Sequence, residues 1–140
     1  MKSLPAEEAQ RSHFGLLIPY LDFIGLEPLE IGNDQAKTRL PYRRELVNSR
    51  GHLHGGALLS VLDFTLSAAG RSHDPLNVGV VTIDLSSNFL LPAETDLICV
   101  ARCIRRGSSI CFCEGEILND EGRVIAKAMA SFKLIKPRLT

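Results

Sequence analysis

The stretch from Gly55 to Gly70, GGALLSVLDFTLSAAG, constrains the fold more than any other part of the chain. It contains no proline, lysine, arginine or glutamate, and Leu58, Leu59, Val61, Leu62, Phe64, Leu66, Ala68 and Ala69 leave few polar positions. As a helix it would run about 24 Å. A helix that is apolar nearly all round has to be covered on most sides, so the remaining chain must wrap it.

The downstream sequence is suited to wrapping. After Asp74-Pro75 the helical rhythm gives way to alternation. Val81, Ile83 and Leu85 alternate with Thr82, Asp84 and Ser86, and Leu97, Cys99, Ala101 and Cys103 with Ile98, Val100, Arg102 and Ile104. Two more alternating runs, Ile110–Ile117 and Val124–Lys133, follow. Turns at Leu91-Pro92-Ala93, Arg106-Gly107-Ser108 and Asn119 to Gly122 predict consecutive antiparallel hairpins. Small residues at Ala126, Ala128 and Ala130 would let a helix approach the sheet closely.

Upstream, Leu26–Ile31 and Ala36–Leu40 read as strands turning at Gly32-Asn33-Asp34, and Pro41 to His52 is irregular and polar. Pro5 to Phe23 reads as an N-terminal helix. Pro5 suits a first turn, Glu7 and Glu8 suit its positive end, and Phe14, Leu17, Ile18 and Leu21 repeat at helical spacing. Pro19 predicts a break near Gly15–Pro19, with a stop before Gly25. The element order predicts an α+β fold, one antiparallel sheet wrapped around one helix. With 140 residues and no repeat or linker, residues 1–140 are expected to form a single domain.

Sixteen Lys+Arg balance 16 Asp+Glu, which argues against a basic nucleic-acid surface or a polybasic membrane patch. No apolar run reaches the ~18–20 residues of a membrane span. Met1 to Gln10 does not read as a signal peptide, so a cytoplasmic protein with reduced thiols is expected. Cys99, Cys103, Cys111 and Cys113 fall on strands, not turns, and match no common zinc spacing. A hairpin centred near Arg106-Gly107 would set Cys103 opposite Cys111. Core thiols are therefore expected, and no metal.

Asp63 is the anomaly, the one ionisable side chain on the apolar helix. Desolvating a lone carboxylate costs several kcal/mol, so it needs partners or a purpose. Ser60, Asp63 and Ser67 form one polar stripe at offsets of three and four. The stripe fits a hydrogen-bonded structural aspartate or a subunit contact, or a base or nucleophile at a cleft edge. At the helix entry, Gly55-Gly56 leaves backbone N–H groups unshielded where a developing oxyanion could sit. Taken alone, His54 reads as a cap or packing residue, Arg105 to Ser109 as a solvated hairpin tip, and His13, His52 and His73 as surface residues.

Together, Asn48-x5-His54-Gly55-Gly56-x6-Asp63, with Thr82-Ile83-Asp84-Leu85, Phe89-Leu90-Leu91-Pro92-Ala93 and Arg105-Arg106-Gly107-Ser108, resembles hotdog-fold acyl-CoA thioesterases of the phenylacetate-degradation type. The resemblance spans nearly the whole chain. It implies a hotdog fold, hydrolysis of an aryl- or medium-chain acyl-CoA, and a homodimer sharing one sheet, often paired into a homotetramer, with sites at the dimer interface. It makes Asp63 the catalytic carboxylate, reaching a thioester held by the other subunit, and Gly55 the donor to the thioester carbonyl. Asn48 becomes the residue positioning the carbonyl or water, His54 an orienting residue, and Thr82 a hydroxyl near the water, where serine is common. Gly56, Arg106, Gly107 and Ser108 would meet the coenzyme A portion. No cofactor is implied, since coenzyme A is part of the substrate. Leu58, Leu59 and Leu62 suggest an apolar acyl pocket. Alternatives are a non-catalytic acyl-CoA-binding module and a hotdog hydratase or dehydratase, whose usual His and carboxylate pattern differs.

Overall fold

A computed structural model describes residues 13–136. Its elements are α1 (Pro19–Ile24), β1 (Glu27–Gly32), β2 (Gln35–Leu40), α2 (Gly55–Gly70), β3 (Gly79–Phe89), β4 (Leu97–Arg106), β5 (Ile110–Leu118) and β6 (Val124–Ile135). A single 3-10 turn, Arg44–Leu46, lies between β2 and α2. The six strands form one antiparallel sheet in the order β1-β2-β4-β5-β6-β3.

The helix α2 packs on this sheet with bounds equal to those expected, and Leu62, Leu66, Ala68 and Ala69 are fully buried. Ala101, Gly115 and Ala128 form a cross-strand row beneath it. A Cβ on Gly115 would stand 2.6 Å from a Leu66 methyl, so the close approach requires a residue without a side chain. The hydroxyls of Thr65 on α2 and Thr38 on β2 pair at 2.7 Å, and Thr65 also donates to the Val61 carbonyl, so neither is left unsatisfied. Burial pushes the Cys99 thiol up to about 12, as suits a core sulfur.

Four expectations are corrected. The described part of the predicted N-terminal helix is not helical before Pro19. Phe14 and Gly15 have φ of 54° and 86°, which no right-handed helix tolerates, and His13 and Leu16 close a tight turn. Pro19 starts α1, and Gly25 ends it with a left-handed φ of 80°. Residues 5–12 lie outside the described residues. Second, β3 and β4 do not form a hairpin. The chain crosses from the outer edge to the middle of the sheet through Leu91-Pro92-Ala93, and β3 pairs with β6.

Third, two bulges shift register where alternation had been assumed continuous. Ile83 is the extra residue in β3, so Thr82 lies opposite Phe132 and Leu85 opposite Ala130, both on the helix side. The β4–β5 hairpin turns at Ser108-Ser109 rather than near Arg106-Gly107, and Ile104 is the extra residue in β4; together they set Cys103 opposite Cys113, not Cys111. Fourth, His13 is buried, its Nε2 2.7 Å from the Leu26 carbonyl, whereas His73 is exposed as expected. His52 is half-buried and meets Glu94 at 3.2 Å.

The turn at Gly32-Asn33-Asp34 is as read. Asn33 and Asp34 have φ of 52° and 62°, which matches a two-residue hairpin turn of the primed kind.

Candidate active site

The site is built around the middle of α2. Asp63 is half-buried, and its Oδ1 accepts a 2.6 Å hydrogen bond from the Thr82 hydroxyl on β3. The bulge at Ile83 aims Thr82 toward the helix at this point. Ser60, Asp63 and Ser67 line one cavity of about 370 Å3 with Thr82, as the polar stripe predicted. Ser60 is satisfied by the Gly56 carbonyl and by the Tyr20 hydroxyl at 2.8 Å, and Ser67 donates to the Phe64 carbonyl. Asp63 is the stripe's one charged group.

The apolar walls were not legible in the sequence. Leu58 and Leu62 point into the core, and Leu59 faces outward, so none of the three lines the cavity. Its walls are Leu16, Ile18, Tyr20, Phe64, Val80 and Ile135, drawn from the N-terminal turn, α1, α2 and the ends of two strands. Phe64 stacks on Phe14 with centroids 5.9 Å apart. Adjacency of Phe64 to Asp63 was the available signal. The contribution of residues 16–20 depends on a non-helical turn that the spacing concealed.

Arg71 ends the helix at the cavity's inner side. It is fully buried and binds the carbonyls of His13, Phe14 and Pro75, so it fastens the wall-forming turn to the core. Burial pushes its guanidinium down to about 10.

At the other end of α2, His54 is the N-cap. Its Nδ1 accepts the Gly56 N–H at 2.8 Å, and its backbone sits at φ −62°, ψ 139°. This is the cap that His54 reads as when taken alone, and it occupies the Gly56 N–H. The Gly55 N–H, in the first turn, has no intrahelical acceptor and is free to meet a ligand oxygen. Asn48 does not line the cavity of Asp63. Its Oδ1 accepts from the Arg50 and His52 N–H groups and holds the loop leading to His54.

Asp63 and Gly55 are eight positions apart, about 12 Å along the helix axis. No single carbonyl group can therefore meet the Gly55 N–H and the Asp63 carboxylate of the same protomer.

Arg106 departs from a free phosphate ligand. Its Nε and Nη2 donate to the Gly70 and Ala69 carbonyls, and Nη2 pairs with Asp34 at 2.8 Å. It caps the C-terminus of α2, a favourable place for a cation. Gly107 and Ser108 are exposed at the β4–β5 tip, with the Gly107 N–H bound to the Ile110 carbonyl.

Residues 50–126 match the model of the Thioesterase superfamily, more than half of the chain. The chain belongs to the thioesterase superfamily. A conserved protein of Pseudomonas aeruginosa superposes with a TM-score of 0.82 at 29% identity, covering 94% of this chain and all of that one. The PaaI protein of the Escherichia coli phenylacetic acid degradation operon superposes at 0.78 with 18% identity, covering 88% of each chain, which shows a shared fold. A provisionally named esterase of Halobacterium salinarum is 34% identical over 95 residues, 64% of this chain and 63% of its own length. The chain is a hotdog-fold thioesterase, a thioester hydrolase. No helix among the described residues is long and apolar enough to cross a membrane.

Proposed function

We propose that this thioesterase hydrolyses aryl- or medium-chain acyl-CoA in sites shared between two protomers. The observation that supports the proposal is the spacing along α2, with the Gly55 N–H at one end and the Asp63 carboxylate at the middle, too far apart to act on one carbonyl in one chain. A second copy removes the difficulty. β3 is an outer strand of eleven residues, and Val81, Ile83 and Phe89 are about half exposed along it. A long outer strand with one row of unpaired N–H and C=O groups and exposed apolar side chains at both ends invites pairing with another strand.

Thr82, beside Asp63, lies toward one end of β3, and Phe89 lies at the other, where a Cβ on Gly55 would meet its ring at 3.7 Å. An isologous antiparallel pairing of two β3 strands about an axis near Leu85 brings Thr82 and Asp63 of one protomer to the partner's Phe89 and Gly55. Each interface then holds two equivalent sites. Pairing of two such dimers gives the homotetramer that the family resemblance implies.

In each site the partner's Gly55 N–H receives the carbonyl oxygen, and its charge grows as the tetrahedral intermediate forms. Thr82 holds Oδ1 of Asp63, which leaves Oδ2 to act. As a base, Oδ2 takes a proton from water as the hydroxide adds to the carbonyl carbon. That proton then passes to the departing coenzyme A thiolate, and free acid remains. As a nucleophile, Asp63 would form an anhydride that water opens, with the same net balance. Asn48 positions the loop that presents His54 and Gly55. The acyl group enters the cavity walled by Leu16, Ile18, Tyr20 and Phe64. Gly107 and Ser108, anchored by Arg106, lie beyond the end of α2 nearer Asp63, and the partner's Gly56 lies beside the oxyanion donor, so the two groups flank opposite sides of the bound coenzyme A.

Thiol release from a panel of aryl and straight-chain acyl-CoA substrates tests the proposal. Turnover that saturates with acyl length or ring size supports it. Absence of turnover across the panel, with acyl-CoA binding retained, would make the protein a binding module and contradict it.

A further inference from the structure

We propose that Cys103, Cys111 and Cys113 form a binding site for one thiophilic d10 cation of the zinc class. The bulge at Ile104 turns Cys103 to lie directly opposite Cys113, and Cys111 shares the face of Cys113 two residues along β5. Their three Sγ atoms lie within 4.8 Å of one another. Zinc–sulfur bonds of about 2.3 Å in tetrahedral or trigonal geometry hold sulfurs about 3.8–4.0 Å apart. The thiols therefore need to close by only about 1 Å to hold the ion.

The cradle is shaped for sulfur. A Cβ on Gly70 would stand 2.6 Å from the Cys111 Sγ and 3.2 Å from that of Cys113, so the glycine keeps the space above the two thiols open. Cys111 and Cys113 are fully buried, whereas Cys103 is half-buried and gives both a path of entry and a side from which water can complete four-coordination. Binding a divalent ion turns three thiols into thiolates and releases three protons, which leaves one net negative charge on the site. The Arg106 guanidinium, near enough to act electrostatically on Cys103 and Cys111, offsets that charge while Asp34 engages it in turn. Knuckle spacing in sequence could not show the site, because strand pairing and a bulge assemble it.

None of the three thiols belongs to the proposed thioesterase machinery, so a test on the thiols and their metal affinity is independent of catalysis. The whole chain, reduced with a non-thiol phosphine, is titrated with Cd2+ and with Zn2+. The expected result is one Cd2+ per chain with thiolate-to-metal charge-transfer absorption, and a higher melting temperature with either ion. Cys103→Ser should weaken binding at least tenfold, and Cys99→Ala should leave it unchanged. On the unaltered chain, equimolar Zn2+ should slow alkylation of Cys103 at least tenfold, a readout that needs no variant to fold. No charge-transfer band, or equal affinity in Cys103→Ser, would show three packed thiols without metal affinity and overturn the proposal.

Discussion

The Thr82 hydroxyl donates a 2.6 Å hydrogen bond to Oδ1 of Asp63, from the edge strand to the middle of the central helix. The bond fixes which carboxylate oxygen is free and orients it. Thr82→Val removes the donor while keeping the branched shape. We expect kcat to fall about tenfold, the order of one hydrogen bond aligned in the transition state, while the melting temperature stays unchanged. Thr82→Ser should retain most activity. Steady-state kinetics of the two variants side by side check this.

Asp63→Asn keeps the shape and removes the charge. Turnover should fall on the order of 10²–10⁴-fold, the range for losing a general base. Because Asp63 is half-exposed and not deeply buried, removing its charge should leave stability nearly unchanged. Unchanged turnover would refute the catalytic part. Lost turnover with a collapsed melting temperature would make Asp63 a structural residue.

Arg106→Ala should act twice. Loss of the cap on α2 and of the Asp34 pair should cost about 1–2 kcal/mol, seen as a lower denaturation midpoint. Loosening of the Gly107-Ser108 tip should raise KM for acyl-CoA more than it lowers kcat. The KM effect should shrink for substrates truncated to the pantetheine portion, and equal losses on both would place Arg106 away from the nucleotide.

Arg71→Met removes a buried cation that fastens His13, Phe14 and Pro75 to the helix end. Three carbonyls lose their charged donor, so a loss of about 3 kcal/mol or more is expected. Any residual folded enzyme should show weakened acyl selectivity, since the cavity wall at Leu16 and Ile18 loses its anchor. Urea denaturation, together with the ratio of kcat/KM for long and short acyl groups, measures both effects.

The central helix, the alternating strands and the polar stripe were legible because each depends on local periodicity. Gly55–Gly70 could be bounded from its glycines and its missing charges, and Ser60 and Asp63 from their helical offset. The β3–β4 crossing was hidden, because a proline turn is compatible with either a hairpin or a passage across the sheet. The bulges at Ile83 and Ile104 were hidden too, since an inserted residue leaves alternation intact on either side while shifting its phase and what lies opposite. The bulge at Ile104, with a hairpin tip two residues further along than the glycine suggested, gave Cys103 a different partner, and the bulge at Ile83 decides where Thr82 points. His13 was misplaced because its burial depends on a left-handed turn at Phe14-Gly15 that helical spacing does not reveal. Arg106 was read from its loop, whereas its acceptors, the last carbonyls of α2, are distant in sequence.

The sharing of each site between two chains is tested most directly by complementation. Gly55→Pro deletes the oxyanion N–H at a first-turn position that accepts proline. His54 already has the extended backbone required before proline, and an added Cβ at Gly55 meets Phe89 at an ordinary 3.7 Å. Gly55→Pro and Asp63→Asn should each be folded and nearly inactive. When the two variants are unfolded, mixed and refolded together, half of the protomers in a random mixture enter heterodimers. Each heterodimer holds one intact site, made from Asp63 of the Gly55→Pro chain and Gly55 of the Asp63→Asn chain. With shared sites, recovery of about one quarter of wild-type activity per protomer is expected. Heterodimers that form and remain as inactive as the two parents would show that each chain carries its own complete site, and would contradict that sharing.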